Sequence, residues 1–71
     1  MHLQEKNDLS MVSEQLAVDR IKAECDHLNL DPNWALAEFR DDFEDIANGT
    51  LSQRGLRFAL RTVAVMQGLI N

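Results

Sequence analysis

Five carboxylates, Glu38, Asp41, Asp42, Glu44 and Asp45, stand within eight residues of one another, and three arginines, Arg54, Arg57 and Arg61, follow beyond Asn48-Gly49. Charges at this density can pair internally, recognise an oppositely charged partner, or hold a divalent cation. Nucleophilic chemistry has no comparable set. Cys25 is the one cysteine, and no histidine with a third, orienting group accompanies it. The histidines, His2 and His27, lie far apart in the chain, and there is neither a glycine-rich phosphate loop nor a Ser/His/Asp arrangement. No catalytic residue, cofactor or metal is therefore expected, and the charged residues read as binding groups.

The charge is segregated along the chain. Residues 1–30 carry six acids and three bases, residues 31–49 six acids and one base, and residues 50–71 three arginines with no acid, for a net charge of −5. An acidic protein repels nucleic acid at long range, so nucleic acid is not the expected partner. The arginines on a helix after a short turn do invite a helix-turn-helix reading. Against it, the preceding helix is about twice the usual length, its acids would lie near phosphates, and Gly55 falls inside the would-be reading helix. The arginines are expected instead to pair with the acids of the preceding helix, within one chain or across a dimer.

The spacing Glu38-x-x-Asp41 with Asp42-x-x-Asp45 resembles the helical carboxylate pairs of Mg-dependent nucleotide pyrophosphatases. That resemblance implies, as an alternative, a Mg-dependent nucleotide-hydrolysing helical bundle. Such bundles need a second acidic pair facing the first, and the first helix here offers only Glu24-x-x-His27.

The elements that must position these residues are helical throughout. One proline, three glycines and no alternating β-branched run leave no signal for strands. The expected fold is all-α, a single domain of three helices over about 9–29, 32–47 and 51–70, with residues 1–8 a flexible N-terminus. Helices 2 and 3 are expected as an antiparallel pair with helix 1 packed across them.

On helix 1, Met11, Val18, Ile21, Cys25 and Leu28 share one face with Ala17 at its edge, interrupted by Glu14; Leu9, Val12, Leu16 and Ala23 form a second, weaker face. Asp31-Pro32 signals the start of helix 2, Asp31 as cap and Pro32 at the first helical position. Its apolar stripe is Ala35, Leu36, Phe39, Phe43, Ile46 and Ala47, and Gly49 ends it. For helix 3, Thr50 with Gln53 matches a capping box, while Ser52 with Leu51 and Leu56 matches a hydrophobic staple. One face carries Leu56, Ala59, Leu60, Val63, Met66 and Ile70, and the other Leu51, Phe58, Thr62, Val65 and Leu69.

Seventy-one residues bury a thin core, and small domains often supplement theirs with disulfides, metals or self-association. A single cysteine excludes an internal disulfide, and one cysteine with two histidines is a poor zinc set. A homodimer is the expected solution, through Leu51, Phe58, Val65 and Leu69 with Leu9, Val12 and Leu16. The longest apolar run, 63–66, is far too short to span a membrane, and the first ten residues lack the plan of a signal peptide, so a cytoplasmic location is expected.

Trp34 shares one line of helix 2 with Glu38, Asp41 and Asp45. Tryptophan among carboxylates suggests an interface anchor. The alternative is that its ring folds back over the turn between helices 1 and 2, against Leu28 or Leu30. The function expected is a non-enzymatic interaction protein, of the kind small acidic regulators of bacteria and their phages represent. It would bind and inhibit or otherwise modulate a larger protein, one with a basic surface, through Trp34, Glu38, Asp41, Asp42 and Asp45.

Overall fold

The computed structural model describes residues 2–71, with side chains described from Val12 onward. The described chain is all-α. It comprises α1 (His2–Leu28), α2 (Pro32–Glu38), a 3₁₀ turn (Arg40–Asp42), α3 (Phe43–Asn48) and α4 (Gln53–Met66). The first helix thus begins seven residues before the apolar pattern does. The Leu9 and Met11 positions of that pattern lie outside the described side chains.

Each chain reversal has a local cause. Asn29 ends α1 in the left-handed conformation (φ 60°), and the Leu30 N–H returns to the Cys25 carbonyl at 2.9 Å. Asn is among the few residues that enter that region cheaply. Leu30 is thereby turned inward and buried. Asp31 caps α2 through a 3.0 Å bond from the Asn33 N–H to Oδ1. At the start of α4, Ser52 is the cap, its Oγ accepting from the Gly55 N–H at 3.0 Å. The staple reading prevails over the capping box, because Gln53 turns away to bond α1. The end of α4 closes with Gly68 at φ 74°, whose N–H bonds Val65 O while Leu69 N–H bonds Ala64 O. These two bonds define a Schellman motif.

The middle segment departs from the expected single helix over 32–47. The 3₁₀ turn interrupts it after Phe39, which adopts φ −107° and ψ 19°. A continuous helix would stack Glu38 on Asp42 and Asp41 on Asp45 as like-charged neighbours four apart. Asp is also a weak helix former in interiors. Breaking the helix relieves this stacking and puts Glu44 and Asp45 in the first turn of α3. There the backbone N–H groups favour negative charge rather than oppose it.

α1 is the common support on which α2, α3 and α4 all pack. Gln53 at the start of α4 reaches α1 beside Arg20 and Glu24, whereas Gln67 just past its end meets Trp34 at the start of α2. α4 therefore runs in the same direction as α1, and the broken middle segment runs back between their ends. The expected pairing of the second and third helical segments keeps its antiparallel sense. Its contacts are slight beside those each makes with α1. The core draws on every element: Ala17, Ile21 and Cys25 from α1, Ala35, Phe39 and Ile46 from the middle segment, and Leu56, Leu60 and Ala64 from α4.

Candidate interaction surface

One polar cluster lies within this core. Glu24 is 2 % exposed, on the same α1 line as Ala17, Ile21 and Leu28. Arg57 Nε donates to its Oε1 at 2.5 Å, and Gln53 Nε2 donates to its Oε2 at 2.6 Å and to the Arg20 carbonyl at 2.9 Å. Burial pushes the Glu24 carboxyl up. The bonds from Arg57 and Gln53, with the positive charges of Arg57 and His27, outweigh it and hold the group below its ordinary value. The arrangement is a clamp between α1 and α4, saturated by its own donors, and presents no open position to a ligand.

The three arginines separate. Arg57 is committed to Glu24 and not to an acid of 38–45, and this is the one ion pair among the described residues. Arg54 and Arg61 are exposed on α4 and make none. Distance in the fold explains it: Arg57 sits one turn from Gln53 on the side of α4 that meets α1.

The Trp34 line is likewise divided. Trp34 is half-buried against the core, and its Nε1 donates to Gln67 Oε1 at 2.9 Å. Gln67 Nε2 in turn donates to Glu38 Oε1 at 3.1 Å. The indole thus links α2 to the end of α4 while packing against the core cluster that includes Leu30. Asp41 and Asp45 are exposed, Asp42 is half-buried, and the 3₁₀ turn removes the helical register that put them in line with Trp34 and Glu38. The same break undoes the carboxylate spacing of a Mg-binding helix. Among the described residues no three His, Cys, Asp or Glu side chains gather as metal ligands.

Cys25 is buried, and burial pushes its thiol up, with Asp31 and Glu24 adding to the effect. A thiol held protonated is a poor nucleophile. It lies under a shallow groove of about 700 Å³ whose polar lining includes Asp19, Lys22, Asp26 and Asp31.

The fold also leaves large apolar side chains open. Phe58 is 73 % and Met66 80 % exposed, and Val65 and Leu69 are half or nearly half exposed beside them. At 100° per residue, Phe58 and Val65 point directly away from Leu56, Leu60 and Ala64. Thr62 lies between them and satisfies its hydroxyl locally on the Phe58 carbonyl at 2.8 Å, so it does not interrupt the stripe with an unmet polar group. Met66 was expected on the buried face. It is exposed in the last turn, whereas Ile70, expected on the same face, is half-buried against the core. Leu51, assigned to the outer face, is half-buried and packs on the core as the staple over Leu56. A second patch is formed by Val12, 66 % exposed, and Leu16 on α1; their companion Leu9 lies outside the described side chains.

Sequence reasoning missed Glu24, Gln53 and Gln67. The signal for Glu24 was present, since it interrupts the apolar spacing Ala17, Ile21, Leu28. Compared with known proteins, the chain matches no family model, no curated protein and no solved structure. No helix among the described residues is long and apolar enough to cross a membrane.

Proposed function

We propose that the chain is a non-enzymatic interaction protein that binds and modulates a larger protein, and that it does so through the outer face of α4. The observation that carries this reading is the stripe of Phe58, Val65, Met66 and Leu69, left exposed by a domain that buries Leu56, Leu60 and Ala64 completely on the opposite side of the same helix. Leaving a phenylalanine side chain in water forgoes roughly 1.5–3 kcal/mol. A contiguous exposed stripe of this kind marks an interaction site more often than an isolated exposed residue does. The acidic residues 38–45 are a weaker candidate. Trp34, their expected anchor, is tied into the fold, and Glu44 and Asp45 occupy the first turn of α3, where helix electrostatics favours them. Capture from an extract of the native host tests the reading. Phe58→Asp should lose the partner that wild type retains while keeping its melting temperature.

Homodimerisation is the second reading, and Val12 and Leu16 favour it. Both project from a stretch of α1, residues 12–16, in which every side chain is exposed. A lone helical stretch is marginal in water, and pairing with a second copy would stabilise it. Sedimentation equilibrium decides: a mass of one chain at micromolar concentration removes this reading.

A further inference from the structure

The outer face of α4 has a charge as well as a shape. Arg54 and Arg61 lie along one edge of the Phe58–Val65 stripe, exposed and without an ion pair among the described residues. Arg57, the third arginine, is taken by Glu24. No acid occurs between Thr50 and Asn71, so nothing on this helix neutralises the two free guanidinium groups. No ion pair joins them to the acids of 38–45. The stripe is therefore apolar along its centre and positive along one edge.

We propose, resting on the interaction reading above, that this face docks against an apolar protein surface edged with Asp and Glu side chains. Charge complementarity selects that occupant over a second copy of the same face. Two α4 helices laid antiparallel about Thr62 would bring Arg61 against its own counterpart, and like charges placed together disfavour the contact. Phe58, Thr62 and Val65, four and three residues apart on α4, form a stripe of the kind that packs on another helix, so a helical partner surface fits the shape. Guanidinium groups at the edge, where water remains, would set orientation and association rate more than affinity.

The probe is a synthetic amphipathic helix with a leucine stripe flanked by glutamates, and the control is its twin with lysines in their place. Titration of each into the ¹⁵N-labelled protein should show the glutamate peptide binding with amide shifts centred on Phe58, Arg61 and Val65, weakening as salt rises. Arg54→Glu/Arg61→Glu should weaken that peptide by about tenfold and improve the lysine twin. The melting temperature of the double variant, measured alongside, establishes whether its fold is intact; neither arginine makes an ion pair among the described residues. Equal binding of both peptides, no binding, or shifts centred on another face overturns the proposal. So does binding to vesicles containing phosphatidylserine in place of the glutamate peptide, or a wild-type dimer that Phe58→Asp converts to monomer. If host capture depends on Phe58 but not on Arg54 and Arg61, the charge assignment falls and the interaction reading stands. If capture depends on neither, both fall.

Discussion

Glu24 of α1 and Arg57 of α4 are 33 positions apart in sequence and 2.5 Å apart in the fold. The carboxylate is buried, whereas about half of the Arg57 side chain reaches solvent. The pair thus fixes α4 against α1 at one register while α4 turns its other face outward. The clamp and the exposed stripe are two sides of one helix.

Replacing Glu24 should therefore disturb the fold rather than a surface. Glu24→Ala leaves Gln53 and Arg57 without their acceptor, and Arg57 can recover water. The expected loss is about 1–3 kcal/mol, at the low end for a buried pair. Thermal melting of Glu24→Ala beside wild type measures it; an unchanged melting temperature would mean that the pair contributes nothing.

The same carboxylate gives stability a pH dependence of definite sign. Its value in the fold is depressed, so the unfolded chain takes up the proton first as pH falls. The contribution of Glu24 is present above the unfolded value of about 4.3 and is lost as pH drops through the lower folded value. Melting temperatures of wild type and Glu24→Gln should differ most near neutrality and converge in acid. A gap that is constant with pH would show that charge is not the cause.

Trp34 was legible in the sequence as an unusual residue but not in its role. Its polar neighbours on an ideal helix suggested an exposed anchor, because the 3₁₀ turn after Phe39 is a tertiary and electrostatic outcome that periodicity does not carry. Gln67, which receives the indole N–H, is 33 positions away, and no local signal links the two. The starts of α2 and α4 and the stop at Asn48-Gly49 were legible, since Asp31, Asn48 and Ser52 act through bonds to near neighbours; the end of α4, expected near residue 70, falls at Met66. Apolar spacing on α4 located both of its faces as well. It misplaced two residues at the ends: Met66, which the 100° step itself sets nearer Phe58 than Leu60, and Leu51, which precedes α4 and packs on the core. Trp34→Ala should cost about 1–2 kcal/mol, less than a fully buried tryptophan. A variant as stable as wild type would restore the indole as a free surface group.

Gly68 closes α4 at φ 74° with open space where a Cβ would stand. Gly68→Ala should therefore destabilise by about 1 kcal/mol through backbone strain alone, with no clash. Chemical denaturation at unchanged m-value would measure it. No loss of stability would mean the left-handed residue is not needed to return Leu69 and Ile70.

The central claim is that α4 presents the binding surface and the acids of 38–45 do not. Parallel capture from native-host extract by wild type, Phe58→Asp/Val65→Asp and Asp41→Asn/Asp45→Asn, with melting curves for all three and quantitative mass spectrometry, tests it most directly. The account predicts a partner retained by wild type and the Asn variant and lost from the α4 variant, at matched stability. A partner kept by the α4 variant and lost with the two carboxylates would contradict it.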